Sequence, residues 1–198
     1  MDIAYSVAGF AVGAIVGLTG VGGGSLMTPL LVLGFGIAPV TAVGTDLLYA
    51  GITKAGGAAA HGLRGNVDWK VAGRLAAGSL PGAAVALAAL AWWPAASRAS
   101  GVIVSTALGI MLVLTALALA FRTPLVAWAR TQGERGMLNR HRTPVTIATG
   151  FLIGVAVTLS SVGAGAVGVT ALALLYPALA TVRIVGTDIA HAIPIVLV

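Results

Sequence analysis

A chain of 198 residues that is 59% hydrophobic and only 8% charged, with a mean hydropathy of +1.05, is excluded from the water-soluble class, in which about a quarter of residues are charged. The absence of cysteine removes disulfides, thiolate metal sites and thiol–disulfide relays, and no residue pattern calls for a metal or a cofactor. The formal net charge of +6 does not indicate nucleic acid, because the basic residues sit between apolar runs and not along one soluble face.

In chain order, apolar runs fall at 3–18, 25–36, 41–60, 71–91, 101–121, 145–160, 166–179 and 184–198. The N-terminus has neither a basic leader nor a clear small-residue cleavage site and reads as mature structure, not as a signal peptide. The runs 41–60, 71–91 and 101–121 reach the length of about 20 residues that crosses a bilayer as a helix. The pairs 3–18/25–36 and 145–160/166–179 are shorter, and each is broken by glycines. They fit tilted spans or re-entrant hairpins, which membranes tolerate when packed in protein or lining a cavity. The 28 glycines favour a polytopic bundle, since small residues let helix backbones approach in lipid.

The linkers predict orientation. Arg64, Lys70 and Arg74 face one Asp68 in 61–74, and Arg122, Arg130, Arg135, Arg140 and Arg142 face one Glu134 in 122–142. Both are expected on the cytoplasmic side, the second against anionic lipid headgroups. The linker 92–100, with Trp92, Trp93 and Arg98, suits the opposite boundary.

An internal repeat relates the two halves. Val21-Gly22-Gly23-Gly24 matches Val162-Gly163-Ala164-Gly165, and Val43-Gly44-Thr45-Asp46 matches Val185-Gly186-Thr187-Asp188. The number of crossings between the two Asp-bearing segments is odd, which makes the repeats antiparallel. The expected fold is therefore an all-α integral membrane bundle with two inverted repeats and glycine-broken helical hairpins, a recurring plan of secondary transporters. The units are 1–121, a basic cytoplasmic linker 122–143, and 144–198. Counterparts of 62–121 are missing from the second unit, which reads as truncated.

Candidate chemistry gathers on the repeated segments. Gly22, Gly23 and Gly24 precede an apolar helical stretch with Ser25 and Thr28 nearby. Exposed N–H groups at such a half-helix start, helped by the helix dipole, bind anions without a fixed charge; tight backbone packing at a helix break is the alternative. No Lys-Ser/Thr follows, so this is not a P-loop. The second copy offers Gly163, Ala164 and Gly165 with Ser160 and Ser161. Asp46 and Asp188 are candidates for ion or proton coupling, or for caps of a first helical turn. His191, three residues after Asp188, can exchange protons near neutral pH or simply be hydrogen-bonded. Lys54 lies deep in a predicted span and either attracts an anion, pairs with Asp46, or snorkels to the interface. His61, on the same face at i+7, sits at a helix end and reads as a boundary residue.

Taken in order, GVGGGSLMTPLL, Pro39 with AVGTDLL, HGLRGNVDW at 61–69 and GSLPGA at 78–83 resemble the first half of a TauE/SafE (sulfite exporter) family permease, and the second half resembles that family's repeat as far as Val198. The resemblance implies a multi-pass transporter of the cell inner membrane for sulfite, thiosulfate or organosulfonate-like anions, in which the two glycine turns face the substrate. The residues alone leave two other classes open: a non-transporting membrane assembly protein, and an intramembrane hydrolase using Ser160 or Ser161 with His191. They select no single anion, direction or oligomeric state.

Overall fold

The computed structural model describes residues 3–19, 22–92, 100–132 and 141–197. Val21 of the first glycine motif and the boundary residues Trp93, Arg98, Glu134, Arg135 and Arg140 lie outside them. The described residues form helices joined by turns, with no strand. They are α1 (Ile3–Thr19), α2 (Gly24–Pro29, running on through a π-helical turn at Leu30–Gly34), α3 (Pro39–Leu63), α4 (Trp69–Trp92), α5 (Ser100–Ala120), α6 (Arg122–Gln132), α7 (Arg142–Ser160), α8 (Ala166–Leu175) and α9 (Thr181–Val196).

Helix starts differ from the apolar runs for local reasons. Proline at the first position of α3 has its φ already set for a helix and needs no N–H partner there, so α3 begins ahead of the apolar run at 41. α9 likewise begins at Thr181, ahead of 184. Among the described residues, three helices are long and apolar enough to cross a membrane: α4, residues 101–120 of α5, and α7. The run 145–160 thus joins a full-length helix, because α7 starts at Arg142. The run 41–60 drops out on composition, because α3 carries Asp46, Lys54 and several threonines.

α8 has 10 residues, and Gly24–Gly34 is also a short apolar helix. At about 1.5 Å per residue each covers only about half of a 30 Å hydrocarbon core. Neither is a tilted full span. The segment expected as a plain linker after 121 begins as helix α6, with Pro124 in its first turn and Val126 packed on a core cluster that contains Leu172, Tyr176 and Ile184.

The central contact is between α4 and α7, which run against each other over much of their length. A Cβ on Gly78 would fall on the carbonyl oxygen of Ile147, and one on Gly82 on that of Phe151. Reciprocally, Gly150 meets the carbonyl of Leu75 and Gly154 that of Ser79. Both helices therefore carry glycines four residues apart on the facing stripe, the arrangement that lets backbones touch. On either side of this seam, Val71 and Leu75 of α4 join Val169 and Leu172 of α8, while Ala83 of α4 joins Ile153 and Val157 of α7 and Ala192 and Ile195 of α9. α9 also lies along α3, with Ile189 against Gly57 and Val196 against Gly51.

Glycines on this seam and glycines facing open space should respond to alanine with opposite sign. Gly154→Ala is expected to lower the detergent melting temperature sharply or abolish monodispersity. Gly73→Ala, with nothing within 4 Å of the added methyl, is expected to be neutral or stabilising by up to about 1 kcal/mol. Thermal unfolding and size-exclusion profiles of the two purified variants make the comparison.

Candidate functional site

The two glycine turns meet. A Cβ on Gly22 would stand 3.0 Å from the carbonyl oxygen of Ala164 and 3.3 Å from Cα of Gly165, and one on Gly24 would fall on the carbonyl of Ser161. Backbone conformation requires glycine at several of these points: φ is +93° at Gly22, +134° at Gly163 and +132° at Gly165, values that a side chain disfavours. Ser161 itself adopts the left-handed conformation with φ of 58° as α7 ends. The turns are closed locally, by the Ser25 hydroxyl donating to the Gly22 carbonyl at 2.9 Å and by the Gly168 N–H donating to the Gly163 carbonyl at 2.9 Å.

Where the turns meet, they border a cavity of about 370 Å³. Gly22 and Gly23 line it from one turn and Ala164 and Gly165 from the other; α3 contributes Tyr49, Lys54 and His61, and α9 contributes Asp188. The starts of the two half-length helices therefore converge on a space that also holds a lysine and a carboxylate.

Two buried carboxylates and a half-buried lysine surround this junction. Asp46 is fully buried; the Thr28 hydroxyl donates to its Oδ2 at 2.9 Å, and the Ser161 side chain lies beside it. Asp188 is 1% exposed. His191 Nδ1 stands 3.7 Å from Asp188 Oδ1 and 3.0 Å from the Asp188 carbonyl oxygen. The Lys54 ammonium lies 3.4 Å from the Ala164 carbonyl oxygen and acts electrostatically on both Asp188 and Asp46. Among the described residues no direct ion pair ties Lys54 to either carboxylate, and neither Asp46 Oδ1, Asp188 Oδ1 nor His191 Nε2 has a hydrogen-bond partner.

The predicted residues divide accordingly. Gly22, Gly23, Ala164, Gly165, Lys54 and Asp188 come together on the cavity. Ser25 closes its own turn, and Thr28 serves Asp46. Gly24 is backed by Ser161, and Gly163 faces Met111, Val157 and Ala156. The capping alternative for the two aspartates is overturned: α3 and α9 carry no acidic residue in the first turn, and Asp46 and Asp188 lie about two turns inside helices that start earlier than the apolar runs. Lys54 does not snorkel outward, because its ammonium points at the Ala164 carbonyl. His61 stands in the last turn of α3, at a helix end. It lines the cavity, and its Nδ1 is buried without a partner; its spacing of seven from Lys54 placed it on that face. The Ser160 hydroxyl donates to the Ala156 carbonyl at 2.7 Å, and neither Ser160 nor Ser161 is hydrogen-bonded to His191 among the described residues.

The two Val-Gly-Thr-Asp copies have different surroundings. In the second, a Cβ on Gly186 would fall on the Asn66 carbonyl, and the Thr187 hydroxyl accepts from the Asp68 N–H at 2.9 Å while donating to the Arg183 carbonyl at 2.7 Å. In the first, Gly44 has nothing within 4 Å and the exposed Thr45 hydroxyl donates only to the Thr41 carbonyl of its own helix, at 2.8 Å.

These features define an all-α integral membrane protein whose half-length helices meet at a charged internal cavity. The chain belongs to the sulfite exporter TauE/SafE family, whose profile matches residues 5–198, and it is thereby a membrane transporter of that family. It is 40% identical over 192 residues to the "Probable membrane transporter protein YjnA" of Bacillus subtilis (strain 168), a match covering 97% of this chain and 75% of the relative. It is 39% identical over 70 residues to the "Probable membrane transporter protein YunE" of the same organism, covering 35% of this chain and 26% of that relative. No solved structure matches the chain.

The Thr28 hydroxyl donates directly to the Asp46 carboxylate, and a hydrogen bond to a charged group contributes about 1.5–3 kcal/mol. Thr28→Val is expected to lower stability by that order, and Thr28→Ser to restore it. Chemical or thermal unfolding of the three proteins in one detergent reads the difference.

Proposed function

We propose that this protein is a multi-pass secondary carrier of the cell inner membrane that moves a small anion, a sulfur oxyanion or organosulfonate, by alternating access of two inverted repeats. The observation that carries the reading is the cavity bounded by Gly22–Gly23, Ala164–Gly165 and Lys54. Helix starts present unpaired N–H groups and the positive end of the helix dipole, which favour an anion, and half-length helices placed this way are a recurring transporter device. Lys54 adds the one full positive charge on the cavity wall. At about 30 Å³ per water, the volume holds a small oxyanion with several waters or a short organosulfonate.

The sulfur chemistry is drawn from the printed name of the family, a sulfite exporter. The matching pair of glycine turns and Val-Gly-Thr-Asp segments, on opposite sides of an odd number of crossings, supports the inverted-repeat arrangement. No ATP-binding motif occurs in the sequence, so an ion or proton gradient is the proposed energy source, with Asp46, Asp188, His191 and Lys54 as the candidate coupling groups. Positive-inside bias places the 61–74 and 122–142 segments on the cytoplasmic side.

Gly23 is the position that tests the cradle most cleanly. Its φ of −61° is ordinary, and an added Cβ would meet only Asp46 Oδ1, at 3.9 Å, so Gly23→Val crowds the turn that borders the cavity without straining its backbone. Gly22, strained and in contact with the opposite turn, confounds binding with folding. Purified protein is heated with sulfite, thiosulfate, sulfoacetate, taurine, sulfate or chloride at fixed ionic strength. A selective upward shift with a sulfur anion, corresponding to about 2.7 kcal/mol at a hundredfold excess over Kd and lost in Gly23→Val, is expected. An equal response to all six anions would remove the cradle, and stable co-purification with partner proteins would then favour an assembly role.

A further inference from the structure

The charges around the cavity do not balance. Lys54 supplies one positive charge, against Asp188 on the cavity wall and Asp46 behind Gly23. With both carboxylates ionised the empty site carries one net negative charge, and a bound monovalent anion would double it in an interior where unpaired charge is costly. A proton arriving with each monovalent anion returns the site to the charge it had when empty.

The two carboxylates are not equivalent as acceptors of that proton. Asp46 is held by Thr28, flanked by Ser161 and set behind the first glycine turn, away from the cavity lining. Asp188 lines the cavity and accepts from the Gly165 backbone N–H, and at 1% exposure its access to water is through that space. Every titratable group facing it has a place in the count. From α3 these are Lys54, Tyr49, His61 and the more distant Asp46; from α9 it is His191, whose Nδ1 is turned to the Asp188 carbonyl. α8 and the two glycine turns contribute no charged side chain. From the turn ahead of α4 comes Asp68, whose backbone N–H bonds Thr187. A Cβ on Gly168 would fall on Asp188 Oδ1, so that oxygen packs against the backbone of α8.

We propose that Asp188 is a proton-binding site and that the proton is a second substrate, carried with the anion in a one-to-one ratio. The inference rests on the carrier reading above. An O–H bond forms at the Asp188 carboxylate from a proton of the water on the side where the anion enters, and it breaks to water on the side where the anion leaves. With the other groups of the site unchanged, no net charge crosses the membrane with a monovalent anion.

Methanesulfonate, a permanent monoanion, is the probe, and the wild-type chain and Asp188→Asn are reconstituted in liposomes with the membrane potential clamped by potassium and valinomycin. For the wild type, an inward proton gradient of one pH unit is expected to accumulate the anion about tenfold at zero potential, and changing the potential should leave that level unaltered. Asp188→Asn is expected to exchange labelled for unlabelled methanesulfonate across the membrane yet show no accumulation with the pH gradient, and its net flux should respond to potential. Should this variant not fold, wild-type protein in weak buffer supplies the readout: saturating methanesulfonate should take up about one proton per bound anion, by the same linkage of binding to protonation. Wild-type transport without response to the pH gradient, binding without proton uptake, or an Asp188→Asn variant that still accumulates the anion would each overturn the assignment while leaving the carrier intact. A wild type that moves neither methanesulfonate nor thiosulfate would overturn the carrier reading, and the proton site with it.

Discussion

The rest of the structure depends on the backbone-to-backbone approach of α4 and α7. Gly78 and Gly82 on one helix face the carbonyls of Ile147 and Phe151, and Gly150 and Gly154 on the other face those of Leu75 and Ser79. In lipid there is no hydrophobic drive between apolar helices, so close packing of small residues is what makes the pair prefer each other to acyl chains. The consequence is positional. α7 ends at Ser160 in the turn that meets Gly22 and Gly24, and α8 and α9 then pack against α4 through Leu75, Val71 and Ala83. A separation of the α4–α7 seam would carry the second glycine turn away from the first and open the cavity between them.

Within that frame, electrostatics explains why the cavity is built from backbone. A fixed cation such as Lys54 attracts an anion but also holds it, whereas N–H groups and helix dipoles attract it without a full opposing charge. Two carboxylates near one ammonium temper the attraction further. Asp46 accepts from Thr28 off the cavity lining, while Asp188 lines the cavity, so chemically identical residues in matching motifs stand in unlike environments.

The same inequality runs through the Val-Gly-Thr-Asp copies. The 61–68 turn, closed by Gly65 at φ of +67° and by the Asn66 N–H donating to the His61 carbonyl at 2.9 Å, packs on Gly186 and Thr187 and anchors α9 to the end of α3. No equivalent turn touches Gly44 or Thr45. Matching sequence thus has a packing role in one copy that it does not have in the other. The turn also brings His61 to the cavity, joining a structural corner to the candidate site.

The sequence by itself determined the membrane class, the helical content and the positions of nearly every helix, because these follow from apolar run length, from glycine and proline punctuation and from the scarcity of charge. It also singled out the residues around which the site forms: Gly22, Gly23, Gly165, Lys54 and Asp188 are legible from a repeated pattern and from the cost of ionisable groups in lipid. What only the tertiary structure decided is which groups face one another. The helix starts at Pro39 and Thr181 turned the aspartates from possible caps into interior residues; Lys54 reaches across 110 positions of chain to the Ala164 carbonyl; and His61 turns inward. The glycines at 78, 82, 150 and 154 stood among many others in the sequence, and their role is a property of two facing surfaces. Composition and periodicity are local quantities, whereas the direction of a side chain and its partner depend on packing between segments far apart in the chain.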